Sequence, residues 1–190
     1  IPIIILSLVL LSCAKQDEEE TDTTTDLEGT WVVSCYDDDD DGINYLIKTL
    51  TVTGTEWVDK IEIHTDSSCA TDKDKWEFTW GSLQIGETGT HDGSPTAKFT
   101  MTLGTSKYTP QTSALVSSAN TNSWCGESDW ELNTAQDVAG MTCSSTTYPS
   151  SGHSYYGLYI LDGDKYMSDA SSSSYPDSVN YDTSNTYVKQ

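Results

Sequence analysis

Five consecutive aspartates, Asp37 to Asp41, closed by Gly42, are the densest group of potential ligands in the chain. Asp37, Asp39, Asp41 and Gly42 fall at the first, third, fifth and sixth positions of the loop that binds calcium between two helices. There, alternate carboxylates converge on the ion and the glycine makes the sharp turn. The match stops at the twelfth position, which is Lys48 where a bidentate Glu is needed. The flanks also alternate as strands rather than helices. Two readings stand: a weak calcium site of another geometry, or a solvated acidic turn between two strands with Gly42 at positive φ.

The remaining reactive side chains do not assemble into a catalytic pattern. His64 falls on the polar face of a strand, and His91 and His153 fall in Gly-containing loops, so surface histidines are expected rather than a metal trio. No Gly-x-Ser-x-Gly elbow is present. Glu127, Asp129 and Glu131 alternate along a candidate strand and so share one face, whereas glycoside hydrolysis needs two carboxylates flanking a cleft. The expected role is therefore non-catalytic, with no cofactor beyond a weak calcium ion. Aromatic residues offer more. Trp76, Phe78 and Trp80 form a stripe that Trp31, Trp57, Phe99 and Met101 extend from other strands. Such faces either pack a core or stack on a flat apolar ligand.

Charge narrows the partners. The net charge is −21, with nine Lys and no Arg. Fixed anions on this scale repel phosphate backbones, which excludes nucleic acid. They also repel an anionic leaflet, and without Arg there is no bidentate clamp for phosphate or carboxylate.

The elements that must position these residues are strands. Period-two alternation recurs between Gly, Asp, Asn and Ser clusters, and helical periodicity is nearly absent. Leu27, Gly29, Trp31, Val33 and Cys35 share a face of the first strand. Ile43–Thr53 forms a second, whose pattern shifts near Lys48 as at a bulge. Trp57, Ile61 and Ile63 mark a third, Trp76–Trp80 a fourth, and Phe99, Met101 and Leu103 a fifth. Ala114–Val116 and Trp130–Leu132 are fainter strands, whereas Tyr155–Leu161 and Thr186–Lys189 are clear. Ser117–Ser128 and Ser144–Ser154 read as rim loops, and Thr134–Val138 as one helical turn at most. The fold class is all-β: a single up-and-down antiparallel barrel of about eight to ten strands. A two-sheet sandwich is the alternative, since only closure removes both open edges.

Four cysteines lie within these strands and loops: Cys35, Cys69, Cys125 and Cys143. An even number in an exported domain favours disulfides, and three connectivities are possible. Local pairing, Cys35 with Cys69 and Cys125 with Cys143, closes the shortest loops and is preferred.

Two resemblances give these expectations a setting. The uncharged run Ile1–Leu11 has the length of a signal-peptide core, and Leu10-Leu11-Ser12-Cys13 resembles the bacterial lipobox. That resemblance implies cleavage before Cys13 and lipidation of its thiol, with Ala14 in place of the Asp associated with inner-membrane retention. Residues 1–12 are thus expected to be a signal peptide lacking its first residues. Residues 13–26 form an acidic lipidated tether, and residues 27–190 form the barrel domain. The address implied is the cell envelope, on the outer membrane.

Leu27-Glu28-Gly29-Thr30-Trp31, in turn, resembles the Gly-x-Trp opening of lipocalins and other calycin barrels. Cys35, the strand end Thr65–Cys69 and the terminal Tyr187–Gln190 resemble exported bacterial lipocalin-like lipoproteins. The resemblance implies a Trp packed across the closed end of a barrel that holds a small apolar or aromatic ligand. It also implies an Arg over that floor, which this chain lacks. The alternative function is an envelope interaction module that meets a protein or polysaccharide through its outer surface.

Overall fold

Trp31 and Val33 are buried along Gly29–Asp37 (β1) while Thr30, Val32 and Ser34 between and beside them are less so, and that alternation sets one face of the first strand inward. The computed structural model describes residues 25–38, 42–91, 93–179, 182, 184 and 186–190. After β1 come Tyr45–Thr53 (β2), Glu56–His64 (β3), Asp72–His91 (β4) and Ser94–Pro110 (β5). The helix Ser113–Thr121 (α1) and a 3-10 turn at Trp124–Gly126 follow. Three two-residue strands come next: Gln136–Asp137 (β6), Thr142–Cys143 (β7) and Thr146–Thr147 (β8). Ser154–Asp162 (β9), Lys165–Ser171 (β10) and Tyr187–Lys189 (β11) complete the order.

Eight of these strands form a closed antiparallel barrel. Neighbours run β4-β3-β2-β1-β11-β10-β9-β5, and β5 returns to β4. No sandwich forms, because the β1–β11 and β4–β5 pairings leave no open seam. The short β6 adds to β5 outside the ring, and β7 and β8 make a separate hairpin.

One end of the barrel, the floor, carries the start of β1, the β2–β3 and β9–β10 turns and the end of β11. There Trp31 is 1% exposed and donates from Nε1 to the Leu27 carbonyl at 2.7 Å. The cation over its ring is Lys189, with Nζ 4.9 Å from the centroid. Gly29, at φ +120°, admits the Lys189 stem, for a Cβ there would stand 3.2 Å from its Cε. A lysine thus supplies the cation over the indole at this end of the barrel.

The other end, the rim, carries the connections 38–44, 65–71, 111–153 and 172–186. The disulfide Cys35–Cys69 ties β1 to the second of these, and Cys125–Cys143 staples the long third connection to itself. Both are the locally preferred pairings.

Several local expectations are corrected. Ala114–Val116 lies inside α1, capped by the Thr112 hydroxyl accepting from the Leu115 N–H. Ser117–Thr121 continues that helix rather than a loop. Trp130–Leu132 is not a strand: the Trp130 N–H donates to Asn120 Oδ1 at 2.8 Å, and that side-chain bond replaces a ladder bond. Thr134–Val138 contains β6, not a helical turn. The irregularity sensed near Lys48 is real but lies on β1, where the register shifts between Val33 and Tyr36 opposite it. His64 is buried rather than on the surface, at 5% exposure, although β3 keeps regular register with β2 through it. β10 has no counterpart in the hydrophobic pattern.

Candidate functional site

β3 places Trp57 and Asp59 on the same inner face, two residues apart. Trp57 stands opposite Trp80 of β4, while Asp59 stands between Leu50 of β2 and Phe78 of β4. From β5, Phe99 stacks on Trp57 with ring centroids 5.3 Å apart. Phe99 in turn lies over Gly157 of β9: a Cβ there would stand 2.0 Å from Phe99 Cζ, so only glycine admits the ring. Trp80 meets Tyr155 of β9 edge-on at 4.9 Å, and Met101 pairs with Tyr155 across the β5–β9 ladder.

These walls enclose a cavity of about 190 Å³ within the barrel. Leu50, Trp57, Phe99 and Tyr166 form its apolar base, and Trp80, Met101 and Tyr155 one wall. Ser168, Ala170 and Tyr187 form another, and Ala170 is exposed, so the cavity opens to solvent beside it. An eight-stranded barrel has room either to fill itself or to keep one small ligand space, and this one keeps the space.

Asp59 is the anomaly in that lining. Its Oδ1 is buried and has no hydrogen-bond partner. Burial pushes its carboxyl up to about 6, against the weaker downward pull of Lys48. Lys48 also points inward, but its Nζ donates to the Ser184 carbonyl at 3.1 Å and lies 5.3 Å over the Tyr36 ring. Among the described residues, no cation lies within ion-pair distance of Asp59. The Tyr166 hydroxyl is buried and unpartnered as well, with Ser168 beside it outside hydrogen-bonding geometry. Burial, then the Asp59 charge, raises Tyr187 far above the ordinary phenol range.

A second aromatic group caps the rim. Tyr108 and Trp124 meet edge-on at 4.7 Å, Trp124 and Trp130 lie 5.1 Å apart, and the Cys125–Cys143 bridge packs among them. The Tyr108 hydroxyl donates to Asp74 Oδ2 at 3.1 Å. Between this group and α1 lies a more open hollow of about 380 Å³, reached by Leu115, Ser118, Asn122 and Ser144.

The aromatics singled out from sequence divide between these places. Trp57, Trp80, Phe99 and Met101 line the barrel cavity. Trp31 lies in the floor against Tyr166, its ring 5.7 Å away. Trp76 belongs to the rim cluster, and Phe78 stacks between Trp76 and Trp80. Asp59, Tyr166, Ser168 and Tyr187 were missed. For Asp59 the signal was its position, which shares the parity of Trp57, Ile61 and Ile63.

The other sequence candidates stay apart from the cavity. Asp37 receives the Gly42 N–H on both carboxyl oxygens, at 3.2 and 3.1 Å, while Asp39 and Asp41 lie outside the described residues, as does Cys13. Among the described residues, no group of three or more His, Cys, Asp or Glu is disposed to hold a metal ion. His64 Nδ1 lies 3.3 Å from Asp72, and the His153 ring lies edge-on to Tyr155. Asp129 and Glu131 are exposed on an irregular segment that also holds Glu127.

No protein-family model matches the chain, and no curated protein matches it at a significant level.

Proposed function

We propose that this protein is a non-catalytic binding protein that holds one small aromatic or apolar molecule inside its barrel, at the cell envelope to which lipidated Cys13 anchors it. The observation that carries the reading is the 190 Å³ space between Trp57, Trp80, Phe99 and Tyr155. A dry apolar cavity of roughly 150 Å³ is enough to take benzene, so the fitting ligand has one ring and a short substituent. Long-chain lipids and polycyclic pigments exceed it. The lipobox-like Leu10–Cys13 and the acidic stretch behind it support the anchored setting.

The test is calorimetric titration of the full chain with one-ring aromatics, with Trp fluorescence as a second readout. Saturable binding that is lost in Ala170→Phe, where a ring would fill the opening, supports the reading. Absence of heat and of spectral change across the series refutes it.

One observation favours a second reading. The rim hollow combines the Trp124 face with the polar groups of Ser118, Asn122 and Ser144, a composition suited to a sugar ring. Retention on an envelope polysaccharide that Trp124→Ala abolishes would move the function to the outer surface.

A further inference from the structure

The barrel cavity is lined almost wholly by aromatic and aliphatic side chains, yet it holds one carboxyl group with no partner. Leu50 and Phe78 flank Asp59 on either side, and its Oδ1 is buried without a hydrogen bond. Burying a carboxylate unpaired is costly, and sequences that need only a packed core place an apolar residue there. Lys48, the cation whose field reaches it, is engaged by Ser184 and Tyr36. The Tyr166 hydroxyl, a second unpartnered polar group, borders the same cavity.

From this arrangement we infer that the ligand is an organic cation: a one-ring arylalkylamine whose ammonium group pairs with Asp59 while its ring lies among Trp57, Trp80 and Phe99. This rests on the binding reading above and specifies its ligand. An ammonium offers three donors, and the unpartnered Asp59 and Tyr166 oxygens are acceptors at the same cavity. Ring faces also attract cations, and Trp57, Trp80 and Tyr155 supply them. A bare metal dication does not fit, because a hard ion of that charge seeks six or more oxygen ligands and a single carboxylate stands here. An anionic ligand meets the Asp59 charge and a surface of net −21.

The experiment compares three probes of one shape on the full chain at neutral pH by calorimetry: 2-phenylethylamine, propylbenzene and phenylacetate. The expected order places the amine tighter than propylbenzene by about tenfold or more, the worth of one charge-assisted contact. Phenylacetate is expected to be weakest. In Asp59→Asn the amine preference should collapse to near parity while propylbenzene still binds. The parent series decides the question even if that variant folds poorly. Equal or weaker binding of the amine, or a preference that survives Asp59→Asn, overturns the inference but leaves the apolar carrier intact. Failure of all three probes overturns both.

Discussion

The ring of Phe99 occupies the space that a side chain on Gly157 would need, with Cζ 2.0 Å from where a Cβ would stand. The two residues are paired across the β5–β9 ladder. Gly157 therefore sets the position of one cavity wall. The variant Gly157→Ala should push the ring toward Trp57, shrink the cavity and cost about 1–3 kcal/mol, the usual range for overpacking. Thermal unfolding checks the loss, and Phe99→Leu in the same chain should restore part of it. Additive losses in the double variant would show that the two residues are not coupled.

Asp59 makes a pH dependence with a definite sign. Its folded-state carboxyl sits at about 6 against an ordinary 3.8. Between those values the folded protein keeps a proton that the unfolded chain has released, so stability falls as pH rises through the window and stays lower above it. A displacement of that size corresponds to about 3 kcal/mol. Burial raises Asp74 in the same sense, whereas Ser68 and Thr71 lower Asp66, and Lys98 lowers Glu87, which act oppositely in acid. Urea midpoints for the parent and Asp59→Asn across this range isolate the effect. The variant should be flatter and, at neutral pH, more stable.

The Lys189 ammonium over Trp31 predicts a modest floor contribution. Replacing it with Ala removes a cation–π contact and the stem that lies along Gly29, at about 0.5–1 kcal/mol for an exposed site. Lys189→Arg should keep most of that stability, since a guanidinium also stacks on the indole. Melting temperatures of the two variants check this, and equal losses would deny the cation any role.

The two disulfides should act on different parts. Cys35–Cys69 spans 34 residues and Cys125–Cys143 spans 18, so removing them should cost about 4 and about 3 kcal/mol in the chain-entropy view. Loss of the second should loosen the connection 111–153 and the rim hollow while the ring stays closed. Hydrogen exchange should then speed up around Trp124 and Trp130 with little change at Trp31. Uniform acceleration would mean that the insertion and the barrel unfold as one unit.

What could be read in the sequence follows from what each strand buries. β1, β3, β4 and β5 turn large apolar residues inward, so their alternation was plain and pointed to the barrel. β10 turns Tyr166, Ser168 and Ala170 toward the cavity, while Met167 packs outside against Ile160 and Val179. Beyond Tyr166 its inward positions are small and line an open space, so the alternation fades. Asp59 was hidden for a related reason: a carboxylate counts as polar wherever it stands, although its parity with Trp57 placed it inside. The helix α1 buries none of its residues and carries Ser, Asn and Thr, so no amphipathic stripe announced it. Its place is set by polar contacts, notably the paired Asn120–Trp130 hydrogen bonds, which hydrophobic periodicity does not register.

The ring is sealed where β1 meets β11, strands drawn from near the two extremes of the described chain. Among the described residues, Trp31 with Lys189 and Val32 with Val188 register across that seam, and the Gln190 N–H donates to the Thr30 carbonyl beside them. Pairings so distant in sequence form slowly, because the entropy of closing a long loop must be met before any contact rewards it. A polypeptide with this wiring cannot complete its barrel until β11 reaches β1. Until then the ring stays open along that one seam.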